Sequence, residues 1–209
     1  MLAGLILAEA NLKPLIIEQG KDVDNRINDI NDFWENGNLN TTSNVQFGAG
    51  GAGTFSDGKL TTGVNDDRKN KLLEELIKAG APEEIKYLTK AHIGTDILIK
   101  VVKNINKKII ELGGEILFET KFIDFEIENN KITSINTISN DNKINYDVDY
   151  LVLALGHSAR DTFELLYNKK VNMDSKPFSV GVRIEHLQEE INQCQYGDFK
   201  HQLKSADYK

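Results

Sequence analysis

The 209-residue chain has a net charge of -7, with 40% hydrophobic and 27% charged residues, the composition of an ordinary soluble globular protein. An acidic balance with no basic run argues against a nucleic-acid backbone or an anionic membrane as partner. One cysteine, Cys194, allows no internal disulfide and no thiolate zinc site, and the four histidines lack ligand spacing, so no metal is expected. No run reaches the roughly 18 apolar residues of a membrane span, and a reducing cytoplasm is the expected location.

The opening MLAGLILAEA is apolar, but it lacks a basic start and Glu9 interrupts it, so it reads as part of the fold and not as a leader. Apolar spacing predicts a helix over 2–12, followed by a short buried strand, Leu15, Ile16 and Ile17, that ends in Glu18 and Gly20. A helix followed by an all-apolar strand is half of a parallel β-α-β unit, and the strand that should open that unit is not in the sequence. Residues 21–45 are polar and Asn-rich and hold Arg26 and Trp34; a glycine loop, 47–63, comes next. Helices are expected over 69–79, ended by Gly80 and Pro82, and over 95–112, with Gly113 just past the end. Period two then predicts a strand at 115–119 and an antiparallel meander with turns at Asn129-Asn130 and at Asn140 to Asn142. DYLVLALG reads as a second fully apolar strand ending in Gly156, with a helix after it over 159–167; a further strand is expected after Pro177, before polar sequence.

Two phosphate-binding patterns overlap in FGAGGAGTFSDGKLTT. Gly48, Gly50 and Gly53 spell G-x-G-x-x-G; Gly53, Gly58 and Lys59 spell G-x-x-x-x-G-K. A Walker loop needs an apolar strand before it, a helix after it and Ser or Thr directly after the lysine, where Leu60 stands. A dinucleotide fingerprint needs a helix after its third glycine, and Thr54-Phe55-Ser56 does not open one. What the glycines do support is close approach of backbone amides to a ligand, or a flexible surface loop.

Glu18 ends an apolar strand behind a helix, where a dinucleotide fold places the carboxylate that accepts hydrogen bonds from a ribose diol; a solvated strand-end acid is the alternative. GHSAR is one glycine short of a hydrolase elbow, which makes Ser158 an expected helix N-cap in preference to a nucleophile.

LIIEQGKDVDNR, SNVQFGAGGAGTFSDGKLTT, GAPEEI, HIGTD, LALGHSARDTFELL and KPFSVGVRIEH together resemble the bacterial FAD-dependent dehydrogenases, flavoproteins of the two-dinucleotide-binding-fold type. The resemblance implies an α/β architecture: an incomplete Rossmann-like FAD-binding domain, 1–172, with a helical segment 66–112 and a β-meander 120–148. Residues 173–209 then begin a substrate-side domain. It implies that Glu18 binds the FAD ribose, with Gln19, Gly20 and Arg26 beside it. Gly50, Gly51, Ala52, Gly53, Thr54, Phe55, Ser56, Gly58 and Lys59 match the loop near the pyrophosphate and flavin. Phe122 matches a position whose backbone faces the adenine. Ala154, Leu155 and Gly156 match an Ala-Thr-Gly turn, here with Leu for Thr, and His157 follows. FAD is the implied cofactor, NADH or NADPH the electron donor, and a small molecule the redox substrate. The family begins with a strand and a G-x-G-x-x-G turn ahead of LAGLILAEA and continues past ADYK, so the chain reads as an internal fragment, expected to bind FAD poorly or not at all by itself. A non-enzymatic nucleotide-binding fragment and a P-loop NTPase are the alternative readings.

Overall fold

The computed structural model describes residues 1–56, 58–60, 66–88, 91–178, 180–182 and 184–206. It is a mixed α/β arrangement that divides into two units, Met1–Val171 and Asn172–Lys209.

In the first unit, helix α1 (Leu2–Glu9) leads into strand β1 (Leu15–Ile17). Helix α2 (Val23–Asn36) follows, in the polar stretch where no element was expected. The Asp22 side chain accepts the backbone N–H groups of Asp24 and Asn25, satisfying two orphan donors, and Gly37 closes the other end in the left-handed region. Its buried positions Val23, Arg26 and Ile30 share one face. Helix α3 (Arg68–Lys78) and helix α4 (Thr95–Glu111) lie where the apolar spacing places them. The α4 stripe, Leu98, Val101, Val102, Ile105 and Ile109, is buried along its whole length.

Strand β2 (Glu115–Leu117) pairs in parallel with β1, in the register Leu15 to Glu115, Ile16 to Ile116 and Ile17 to Leu117. Strands β3 (Lys121–Glu128), β4 (Lys131–Ser139) and β5 (Asn142–Asp147) form the expected antiparallel meander. Its two turns run through Asn129 and Asn130 and through Asn140 and Asp141, all at positive φ, the conformation that matches the twist of a two-residue hairpin. Helix α5 (Arg160–Asn168) ends the unit's regular structure.

Three apolar clusters hold these elements. The largest joins α1, α3 and α4, with Ile16 and Ile116 packed against it. A second joins Val23 and Ile30 to Ala49, Phe55 and Val102. The third, around Phe125, Ile135 and Leu166, takes in Ile17, Phe122, Leu151 and Leu155.

The expected strand over 149–156 does not form. Its peptide groups bond to no other backbone group among the described residues, and a strand exists only as part of a ladder. Leu151 and Leu155 still reach the third cluster, whereas Val152 is 63% exposed. The expected cap at Ser158 is also replaced: Ala159 is the N-cap of α5, and Ser158 contributes its carbonyl, which accepts the Arg160 N–H.

The second unit has helix α6 (Gln188–Tyr196) and a 3-10 turn, Gly197–Phe199. Gln188 and Asn192 hold its C-terminal end through the backbone of Ala206. No strand forms after Pro177 among the described residues; Phe178, Val180, Val182 and Ile184 are exposed.

Candidate functional site

The end of β1 is fixed by backbone pairing before any side chain acts. The Glu18 N–H donates to Leu117, and the Thr120 N–H donates to the Glu18 carbonyl. The Glu18 carboxylate therefore leaves the sheet in a set direction. Its Oε1 accepts two backbone N–H groups, from Gly20 at 2.8 Å and from Gly48 at 3.1 Å. One oxygen thus ties the strand end to the glycine loop, and Oε2 has no donor among the described residues.

The two chains cross at glycines for a steric reason. A Cβ on Gly20 would stand 2.5 Å from the Gly48 Cα, and one on Gly48, whose φ is +121°, would stand 2.5 Å from the Arg26 Cδ. The Ala49 N–H, donated to Lys21, completes the seam.

The Asn-rich segment before the loop is folded by its own side chains. Asn40 Oδ1 accepts the N–H groups of Thr42 and Ser43; Asn44 Oδ1 accepts those of Gln46 and Phe47. These are successive Asx turns, which give a chain without helix or sheet a defined course. They bring several carbonyls around Arg26.

Arg26, expected beside a ligand, is 0% exposed and touches no surface. Its Nε donates to Asn44, Nη2 to Val45, and Nη1 to Gly48, Ala49 and Gly51, all at backbone carbonyls, 2.7 to 3.2 Å away. The guanidinium also stacks over the Phe55 ring, 4.7 Å from its centroid. Burial pushes Arg26 down to about 10, with Glu18 acting in the opposite direction. Burial likewise holds the Met1 α-amino group below its ordinary value, again opposed by Glu18.

Beyond this seam the loop opens. Gly50, Gly51, Ala52, Gly53 and Ser56 are exposed, while Thr54 and Phe55 are buried beneath them. A Cβ on Gly51 or Gly53 would meet nothing within 4 Å. The Gly51 N–H donates to Gly48, but the N–H groups of Gly50, Ala52 and Gly53 have no acceptor among the described residues. The Thr54 hydroxyl is buried without a partner among the described residues. A 3-10 turn, Ala52–Thr54, takes in Gly53, and no strand directly precedes the loop, so the dinucleotide pattern lacks both flanks and the Walker pattern lacks its strand; Asp57 and 61–65 lie outside the described residues. Gly58 is buried, and Lys59 forms an isolated antiparallel bridge with His92.

The remaining expected residues fall into two groups. Gln19 lines a separate polar groove of about 290 Å³ with Lys21, Glu119 and Lys121; both lysines are ion-paired, to Asp29 and Asp161. Phe122 stacks on Phe125 and shares a cluster with Ile17 and Leu155, which links the 154–157 turn to the end of β1. Ala154, Gly156 and His157 are exposed. Gly48 and the carbonyls of Asn44 and Val45 were not expected at the site; the asparagine spacing was their one signal in the sequence.

Residues 177–209 match the family described as FAD-dependent protein, C-terminal domain-like. An uncharacterised protein of Clostridium beijerinckii is 52% identical over 209 residues, which is 99% of this chain and 38% of the relative, so the chain spans well under half of that protein's length. A crystal structure of Thermovibrio ammonificans THI4 aligns with a TM-score of 0.49 at 13% identity, over 82% of this chain and 58% of that one.

Proposed function

We propose that the chain is part of an FAD-dependent oxidoreductase of the dehydrogenase type, built on a Rossmann-like FAD-binding domain. The observation that carries this reading is the seam itself. A strand-end carboxylate with one uncommitted oxygen is bonded to Gly48, two residues before an exposed row in which the Gly50, Ala52 and Gly53 amides have no acceptor among the described residues. The residues fit the cofactor chemically: a carboxylate oxygen suits a ribose diol, and open N–H groups suit a phosphate. The match of 177–209 to an FAD-dependent family supports the same reading from another part of the chain.

In this reading Glu18 accepts from the ribose, and Gly50, Gly51, Ala52 and Gly53 line the phosphates. Phe122 and the turn Ala154, Leu155, Gly156 and His157 flank the nucleotide from the third cluster. Arg26, Thr54, Phe55 and Gly58 act from beneath, as the buried frame of the loop, and Ser56 and Lys59 lie at its far end. The bound flavin would supply hydride transfer between NADH or NADPH and a small-molecule substrate; the protein's part is to hold and orient it.

The test is a titration of FAD followed by flavin fluorescence. Saturable binding is expected in the longer protein that carries this chain, weakened at least tenfold in Glu18→Ala. A flat titration of that longer protein, or a Glu18→Ala affinity equal to wild type, overturns the reading.

A further inference from the structure

We infer that Arg26 is the positioning residue of this site: by drawing the Ala49 and Gly51 carbonyls inward, it turns the N–H groups of Gly50 and Ala52 outward to receive a phosphate-bearing anion. In a planar trans peptide, C=O and N–H point in opposite directions, and no peptide here is cis. The Ala49 carbonyl shares its peptide unit with the Gly50 N–H, and the Gly51 carbonyl shares its unit with the Ala52 N–H. Arg26 Nη1 holds these two carbonyls at 2.7 and 3.0 Å. Their partner N–H groups, on exposed residues, have no acceptor among the described residues. The intervening Gly51 N–H is consumed by Gly48, which gives an alternating out-in-out row.

A guanidinium suits this role, because its three nitrogens donate from one rigid plane, whereas an ammonium donates from a single atom; Nη1 shares its two N–H groups among three carbonyls, and Nε and Nη2 take one each. The cation has no carboxylate within bonding distance among the described residues, and burying an unpaired charge is costly. Glu18 is the one acid that acts on Arg26 through space, and an anion above the loop would add a second negative charge. The loop geometry is independent of the FAD reading; the identity of the anion as a nucleotide phosphate rests on it.

The experiment titrates inorganic pyrophosphate into the isotopically labelled chain and follows backbone amide resonances. In the wild type, the Gly50 and Ala52 amides are expected to shift saturably. Arg26→Gln is expected to raise the pyrophosphate Kd at least tenfold while α4 amides keep their positions. Arg26→Lys, which retains charge but not the fork, is expected to fall between them, and it decides the matter where Arg26→Gln does not fold. Wild-type affinity in a folded Arg26→Lys or Arg26→Gln overturns the inference, as does a wild type whose Gly50 and Ala52 amides ignore pyrophosphate at millimolar concentration. Pyrophosphate shifts at these amides without FAD binding would support the inference and refute the FAD reading.

Discussion

Glu18 shows how one side chain can serve both fold and site. Its Oε1 closes the β1 end onto Gly48 across 30 residues of sequence. Hydrogen bonds to a charged acceptor contribute about 1.5–3 kcal/mol where buried, and Glu18 is partly exposed. Glu18→Ala is therefore expected to lower stability by about 1–3 kcal/mol in urea denaturation; Glu18→Gln, which keeps an acceptor oxygen, should lose less than half of that. Gly20→Ala should cost about 1–3 kcal/mol through forced displacement of the Gly48 backbone, and a wild-type melting temperature would contradict the crossing. The sequence announced Glu18 as a strand-end acid, because apolar runs and their termini are local features. It could not announce the Gly48 partner, or that Arg26 faces inward, because both depend on contacts between distant segments. Arg26 becomes a core residue because the Asx turns around Asn40 and Asn44 and the glycine loop close over it together.

At the level of elements, the helices with apolar stripes and the meander were legible, since their periods and turn residues are local. Helix α2 was not, because three buried positions among many polar ones give a thin stripe. Its start signal was nonetheless present in Asp22. Burial raises the Asp22 pKa, but hydrogen bonds from Asn25 and Asp24 outweigh it, so the folded value lies below 3.8. The cap's contribution is then full above the unfolded value and is lost as pH falls through the depressed folded one. Asp22→Ala should cost about 1 kcal/mol at pH 7, with the gap to wild type narrowing on acidification below about pH 4; a gap independent of pH would refute the cap. The Asn129-Asn130 turn makes a second element-scale prediction. A β-branched residue at positive φ costs about 1–2 kcal/mol, so Asn130→Val should lose that much and Asn130→Gly should lose nothing. The segment 149–156 marks the limit of pattern reading. An apolar run reports a demand for burial, and burial alone does not supply the neighbour that a strand needs.

At the scale of the molecule, the first unit assembles one seam from four separated segments: the end of β1, α2, the glycine loop and, through Ile17 and Leu155, the 154–157 turn. The second unit carries the family match at 177–209. The central claim is that the exposed glycine row beside Glu18 receives the phosphates of FAD. Amide hydrogen exchange resolved to single residues, with and without saturating FAD, tests it most directly. The account predicts slowed exchange at Gly50 and Ala52, with little change along the groove lined by Lys21 and Lys121. Unchanged exchange at Gly50 and Ala52 in the presence of bound FAD would contradict it.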